Sequence, residues 1–229
     1  MNAFLDSPRL LVRLVRLYVG LAAYGIAIAL LLRSGLGSSP WDVLSQGVAR
    51  TLGLSFGATT VAVSVLVLVA WIPLRQRPGW GTLSNTLLIG VFADLGLAWI
   101  PAPAEGTLHL LWQSADLAGG LVLLALASAL YIGARLGPGP RDGLMTGLVA
   151  RTGRPVWMVR CGIELTVVLA GWLLGGTVGI GTAVFAFGIG PLIQSAMRLL
   201  RVDLGPRPAR PAEAVPASAE PGISGAAAR

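Results

Sequence analysis

Three groups of residues in this 229-residue chain are of types that could do chemistry inside an apolar protein. Two of them are versions of one motif, Pro40-x-Asp42 and Pro140-x-Asp142. The third is Arg160 with Glu164, an opposite-charge pair at four-residue spacing, one helical turn apart on one face. Each Pro-x-Asp has a structural reading. Ser39 or Gly139 serves as N-cap, the proline takes N1, where its missing N–H is no loss, and the acid meets the positive helix end. The functional reading is that both helix starts face a central path, as broken helices do in transporters built from inverted repeats. Arg160 and Glu164 likewise read as a packing ion pair, or as a site for a proton or a substrate. If their helix starts near Pro155, Glu164 lies about 13 Å in, near mid-membrane, where a carboxylate is costly and turns away from lipid. The candidate pathway residues are therefore Asp42, Asp142, Arg160 and Glu164, with Pro40 and Pro140 as helix starts. Asp94 sits toward the outer end of its segment and is expected to reach water; its counterpart 100 residues on is Gln194.

Other chemistry finds little material. His109 and Cys161 are the only residues of their types. A His-based zinc site, a serine triad, a disulfide and a CxxC motif are thereby disfavoured, and nothing resembles an activated nucleophile. An enzyme is not expected, nor a cofactor. The glycines from Gly175 to Gly181 are not a phosphate loop, because no Gly-Lys-Ser/Thr follows. They are expected to form a tight turn that starts the last span.

The elements that must hold these residues are membrane helices. The chain is 55% hydrophobic and 12% charged, about half the charge of a soluble domain, with mean hydropathy +0.76. Its net charge of +7 comes from arginines that flank apolar segments and form no basic face, so no nucleic-acid partner is expected. The partners implied are the lipid bilayer and a small molecule or ion. The apolar run 17–32 is longer than a signal-peptide core and is followed by Arg33 without a cleavage site, so it reads as a first span. Six segments are long enough to cross a bilayer: 14–33, 55–74, 81–100, 117–134, 155–174 and 180–199. Arginines gather before 17, at 75–77, at 135–154 and at 198–201, whereas 101–116 has none. The positive-inside rule then puts both termini in the cytoplasm and Glu105 outside. The localisation expected is the bacterial plasma membrane.

The chain also repeats itself. Leu36-Gly37 and Pro40-x-Asp42 match Leu136-Gly137 and Pro140-x-Asp142, Gly79-x-Gly81-Thr82 matches Gly179-x-Gly181-Thr182, and Gly90 matches Gly190, all at an offset of 100. The fold class expected is an all-α membrane protein of about six transmembrane helices. They form two inverted three-helix repeats, each with a short proline-initiated helix after its first span. The organisation is 1–13 cytoplasmic, 14–100 first repeat, 101–116 outer connection, 117–201 second repeat, and 202–229 a disordered Pro/Ala-rich tail.

The motif order is informative. Gly35 to Leu44, Gly139 to Met145, Arg160-x-x-x-Glu164, Gly171 to Gly176 and Gly179-x-Gly181-Thr182 together resemble the YczE/YitT-type family of bacterial membrane proteins over about residues 10–200. The resemblance implies a multi-span bacterial membrane protein. It implies no biochemical activity and carries over no catalytic residue. Transport of a small molecule or ion between the two repeats is the leading expectation. A non-transporting membrane partner or assembly factor is the alternative.

Overall fold

A computed structural model describes residues 8–202. Within them the chain is all-helical: α1 (Pro8–Arg33), α2 (Pro40–Leu52), α3 (Phe56–Trp71), α4 (Trp80–Trp99), α5 (His109–Gly133), α6 (Pro140–Thr152), α7 (Val156–Leu173) and α8 (Ile180–Leu199). The first seven residues and the tail expected from 202 onward lie outside this description, except for Val202. Five helices, α1, α4, α5, α7 and α8, are long and apolar enough to cross a membrane. The sixth expected span is different. α3 has only 16 residues, about 24 Å of helix, and counts as part of a crossing only together with α2, from which it bends by 115°. α5 begins at His109, so the outer connection is shorter than the 101–116 expected.

Local chemistry explains the helix boundaries. Ser39 caps α2: its Oγ accepts from the Asp42 N–H at 3.2 Å and donates to Asp42 Oδ2 at 2.5 Å. Pro40 stands at N1, and Gly53 ends the helix in the left-handed region at φ 66°. α6 repeats the plan with Gly139, Pro140 and Gly153, also at φ 66°. Ser55 caps α3 by accepting from the Ala58 N–H.

α1 and α5 lie antiparallel at the centre and carry much of the apolar core, including Leu17, Leu21, Ile28, Leu121 and Leu124. Small residues set the close approach. A Cβ on Gly20 would lie 2.9 Å from the Tyr131 backbone nitrogen, and one on Gly25 2.4 Å from Phe92 Cβ. Arg13 ties the start of α1 to the end of α5, donating to the carbonyls of Ala134 at 2.8 Å and Arg135 at 2.7 Å. At the opposite end Arg33 donates to the Leu97 carbonyl of α4.

The 100-residue spacing recurs in the elements and in their contacts. α2 and α6, α3 and α7, and α4 and α8 each begin 100 residues apart. The Gly-x-Gly-Thr motif does more than turn the chain. Gly81 N–H donates to the Leu136 carbonyl at 2.8 Å, and Gly181 N–H donates to the Leu36 carbonyl at 2.8 Å. Each half's motif thus docks on the Leu-Gly loop of the other. Gly37 (φ 106°) and Gly137 (φ 132°) adopt conformations that favour glycine. A Cβ there would also strike Thr182 Oγ1 at 2.6 Å and Thr82 Oγ1 at 2.7 Å respectively.

Candidate functional site

The starts of α2 and α6 converge on a cavity of about 390 Å³. Pro40 and Trp41 line it from the first half; Pro140, Arg141 and Asp142 line it from the second. Arg160 and Glu164 line it from α7. Of the four charged residues singled out in the sequence, Asp142, Arg160 and Glu164 therefore share one space. Asp42 does not line it. That side chain is 1% exposed and lies behind Arg141, whose Nη2 is 3.5 Å from Asp42 Oδ1.

The two Pro-x-Asp motifs share a backbone plan and differ in what their carboxylates meet. Asp42 is held by the Ser39 hydroxyl and by Arg141. Asp142 has glycine at the equivalent cap and gains a phenol instead: Tyr131 Oη donates to its Oδ2 at 3.2 Å. A Cβ on Gly139 would meet Tyr131 Oη at 3.1 Å and Asp142 Oδ2 at 3.3 Å, so the small cap leaves room for this arrangement. The residue between proline and acid also differs. Trp41 and Arg141 occupy the same place in the two motifs, and the Arg141 guanidinium stands 5.2 Å from the Trp41 ring centroid. Trp71, buried at the end of α3, donates from Nε1 to the Pro140 carbonyl at 3.0 Å and so fixes the start of α6.

Arg160 Nε lies 2.9 Å from Glu164 Oε1. The pair is not enclosed: the side chains are 53% and 29% exposed. Their counterparts 100 residues earlier are Thr60 and Ser64, which also line the cavity, from α3. Both are buried, and Thr60 Oγ1 has no hydrogen-bond partner among the described residues.

The cavity exists because the halves pack differently. In the first half α3 lies along α4, with Gly57 against Gly90: a Cβ on Gly57 would come 2.2 Å from the Gly90 carbonyl oxygen. Asp94 clamps the contact, accepting from Ser55 Oγ at 2.5 Å and from the Gly57 N–H at 2.7 Å. Asp94 is therefore a clamp between helices and not simply a residue reaching water. The second half has no such clamp, since Pro155, Trp157 and Gln194 stand where Ser55, Gly57 and Asp94 would be. α7 and α8 scarcely touch, and a Cβ on Gly190 would meet nothing within 4 Å. The cavity is lined by both, with Ile163 on one side and Phe185, Ile189 and Ile193 on the other.

Sequence reasoning missed Tyr131, Arg141, Thr60 and Ser64. The repeat offset pointed to the last three, which align with Trp41, Arg160 and Glu164. Tyr131 aligns with Leu31, and nothing in the local sequence distinguishes it from a core aromatic.

Apolar helices of spanning length around a polar-lined cavity define a membrane protein that crosses the bilayer several times. The comparisons with known proteins agree. Residues 11–198 match the model of DUF6198, a family of unknown function, and the chain belongs to that family, of YczE type. It is 37% identical over 184 residues to an uncharacterized protein of Haemophilus influenzae, covering 80% of this chain and 83% of the relative. It is 33% identical over 194 residues to the uncharacterized membrane protein YczE of Bacillus subtilis, covering 83% and 88%. It is 28% identical over 168 residues to the uncharacterized protein YyaS of the same organism, covering 72% and 82%. No solved structure matches.

Proposed function

We propose that the protein is a small-molecule or ion transporter of the bacterial plasma membrane, with its site in the cavity between two inverted repeats. One observation carries this reading. The starts of two proline-initiated helices, one from each half, open on a cavity that also holds the Arg160–Glu164 ion pair of α7, a helix of spanning length. Helix starts and unpaired backbone groups facing a midplane site are the device by which inverted-repeat carriers hold polar cargo in lipid. Elements spaced by 100 residues and the reciprocal Gly81–Leu136 and Gly181–Leu36 bonds support the repeat. Counting the bent α2–α3 pair as one crossing gives each half three, and an odd number runs the second half opposite to the first. The arginine distribution supports cytoplasmic termini.

The test uses the exposed lone cysteine. In a Cys161→Ser background, single cysteines replace Met145 or Ser128, both in the cavity wall. A membrane-impermeant thiol reagent is then applied to right-side-out and to inverted vesicles. A carrier exposes the same position to both sides in turn. Reaction from neither side would sink the transport reading and leave the packed membrane partner or assembly factor as the function.

A further inference from the structure

We infer that the cavity binds a monovalent organic amine with an apolar body, an inference that rests on reading the cavity as the binding site. Three observations point to this class. The first is the distribution of charge. Arg141 faces Asp42 and Arg160 pairs with Glu164. The carboxylate of Asp142 lines the cavity without an ion pair among the described residues: the Tyr131 phenol donates to it, and Arg141 and Arg160, each already paired with another carboxylate, act on it from farther away. Three carboxylates, Asp42, Asp142 and Glu164, thus share two guanidiniums; a carboxylate in an apolar surround without a counter-charge of its own is costly, and a bound cation would balance the third.

The second observation is a free acceptor. Thr60 is 3% exposed, lines the same cavity, and its Oγ1 has no partner among the described residues. Buried hydroxyls are normally hydrogen-bonded, so this one is open to a donor that enters the cavity. An ammonium group has several N–H donors and can serve Asp142, while a hydroxyl such as Thr60 accepts another.

The third is the remaining wall. Phe185, Ile189 and Ile193 of α8 and the ring of Tyr24 are apolar or aromatic. Sites of this size that bind small organic molecules combine a mostly apolar lining with a few placed polar groups. Aromatic faces also attract cations. A bare metal cation would find no use for the α8 wall, and an anion would meet Asp142 and Glu164 with both arginines already engaged.

Benzylamine, benzyl alcohol and benzoate share a ring and differ in charge at pH 7. Each is titrated into the full chain in detergent, with calorimetry and melting temperature as readouts. Benzylamine is expected to bind at least tenfold more tightly than either of the others. Asp142→Asn is expected to remove that preference, and Asp116→Asn, a carboxylate outside the cavity, to preserve it. Equal binding of amine and alcohol would overturn the proposal, because Asp142 would then carry its own proton. Tighter binding of benzoate, or no binding of benzylamine, would overturn it as well. Should Asp142→Asn fail to fold, the ranking of the three probes on the unaltered protein still decides. The thiol-accessibility test judges the transport reading separately, so a wet, two-sided cavity that ignores benzylamine refutes the amine and leaves the carrier standing.

Discussion

Arg141 and Asp42 belong to the helix starts of different halves, and their side chains meet at 3.5 Å, with Asp42 only 1% exposed. Arg141 also lies over Trp41, the residue that holds its own place in the other motif. One guanidinium thus joins the two motifs to each other. Removing it leaves a carboxylate buried with the Ser39 hydroxyl as its remaining side-chain partner. Arg141→Ala is expected to cost about 3 kcal/mol, the lower end for breaking a buried pair, because Arg141 is itself partly exposed. Arg141→Ala/Asp42→Asn should recover much of the loss. Melting of the single and double variants in detergent checks both statements; an Arg141→Ala protein as stable as the parent would refute the link.

The Arg160–Glu164 pair behaves differently. It lies on the cavity wall and is partly open, so its cost of removal depends on water. If the cavity is wet, Arg160→Ala or Glu164→Ala alone lowers stability by about 0–1 kcal/mol. A loss of several kcal/mol from either one would mark a dry interior and count against a transport path. Glu164→Gln should fold normally and lose activity.

Gly143 has no room for a side chain. A Cβ there would sit 1.9 Å from Trp71 Cζ2. Gly143→Ala should therefore destabilise by about 1–3 kcal/mol through overpacking, despite alanine's better helix propensity. Adding Trp71→Leu relieves the clash but forfeits the hydrogen bond to Pro140, so recovery is expected to be partial. Full recovery would show that the indole N–H contributes nothing to fixing α6.

Asp94 and Gln194 are repeat counterparts with unequal work. Asp94→Ala should loosen the start of α3 and raise hydrogen exchange at residues 56–60, because its oxygens hold the Ser55 hydroxyl and the Gly57 N–H. Gln194→Ala should leave exchange at the start of α7 unchanged. Equal effects at the two ends would contradict the asymmetry between α3–α4 and α7–α8.

Orientation is open to a direct check. Reporter fusions at Glu105 and after Asp203 should report the outside and the cytoplasm respectively, in keeping with the arginine distribution. A cytoplasmic signal at Glu105 would reverse the proposed topology.

Much of this molecule is dictated locally, and that part was legible in the residues. Long apolar runs bounded by arginine can only be helices in lipid, since every backbone polar group must be satisfied within the segment. Ser39, Pro40 and Asp42 determine where α2 starts, and Gly53 and Gly153 where α2 and α6 stop, because caps act over a few residues. The 100-residue offset was visible for the same reason: each half keeps its punctuation. What the tertiary structure decided is everything that depends on two distant faces meeting. α3 is too short to cross alone and bends back from α2. Asp42 turned out to be sealed behind Arg141, whereas Asp142, with the same local motif, lines an open wall beside Tyr131. Part of that difference lies in the motif, where Gly139 and Arg141 stand in place of Ser39 and Trp41. The rest goes with Gly57 seating on Gly90 under the Asp94 clamp in one half, and with Trp157 and Gln194 in the corresponding places of the other, where α7 and α8 scarcely touch. Packing of this kind depends on whether two surfaces fit, and a linear pattern of residue types does not encode that fit.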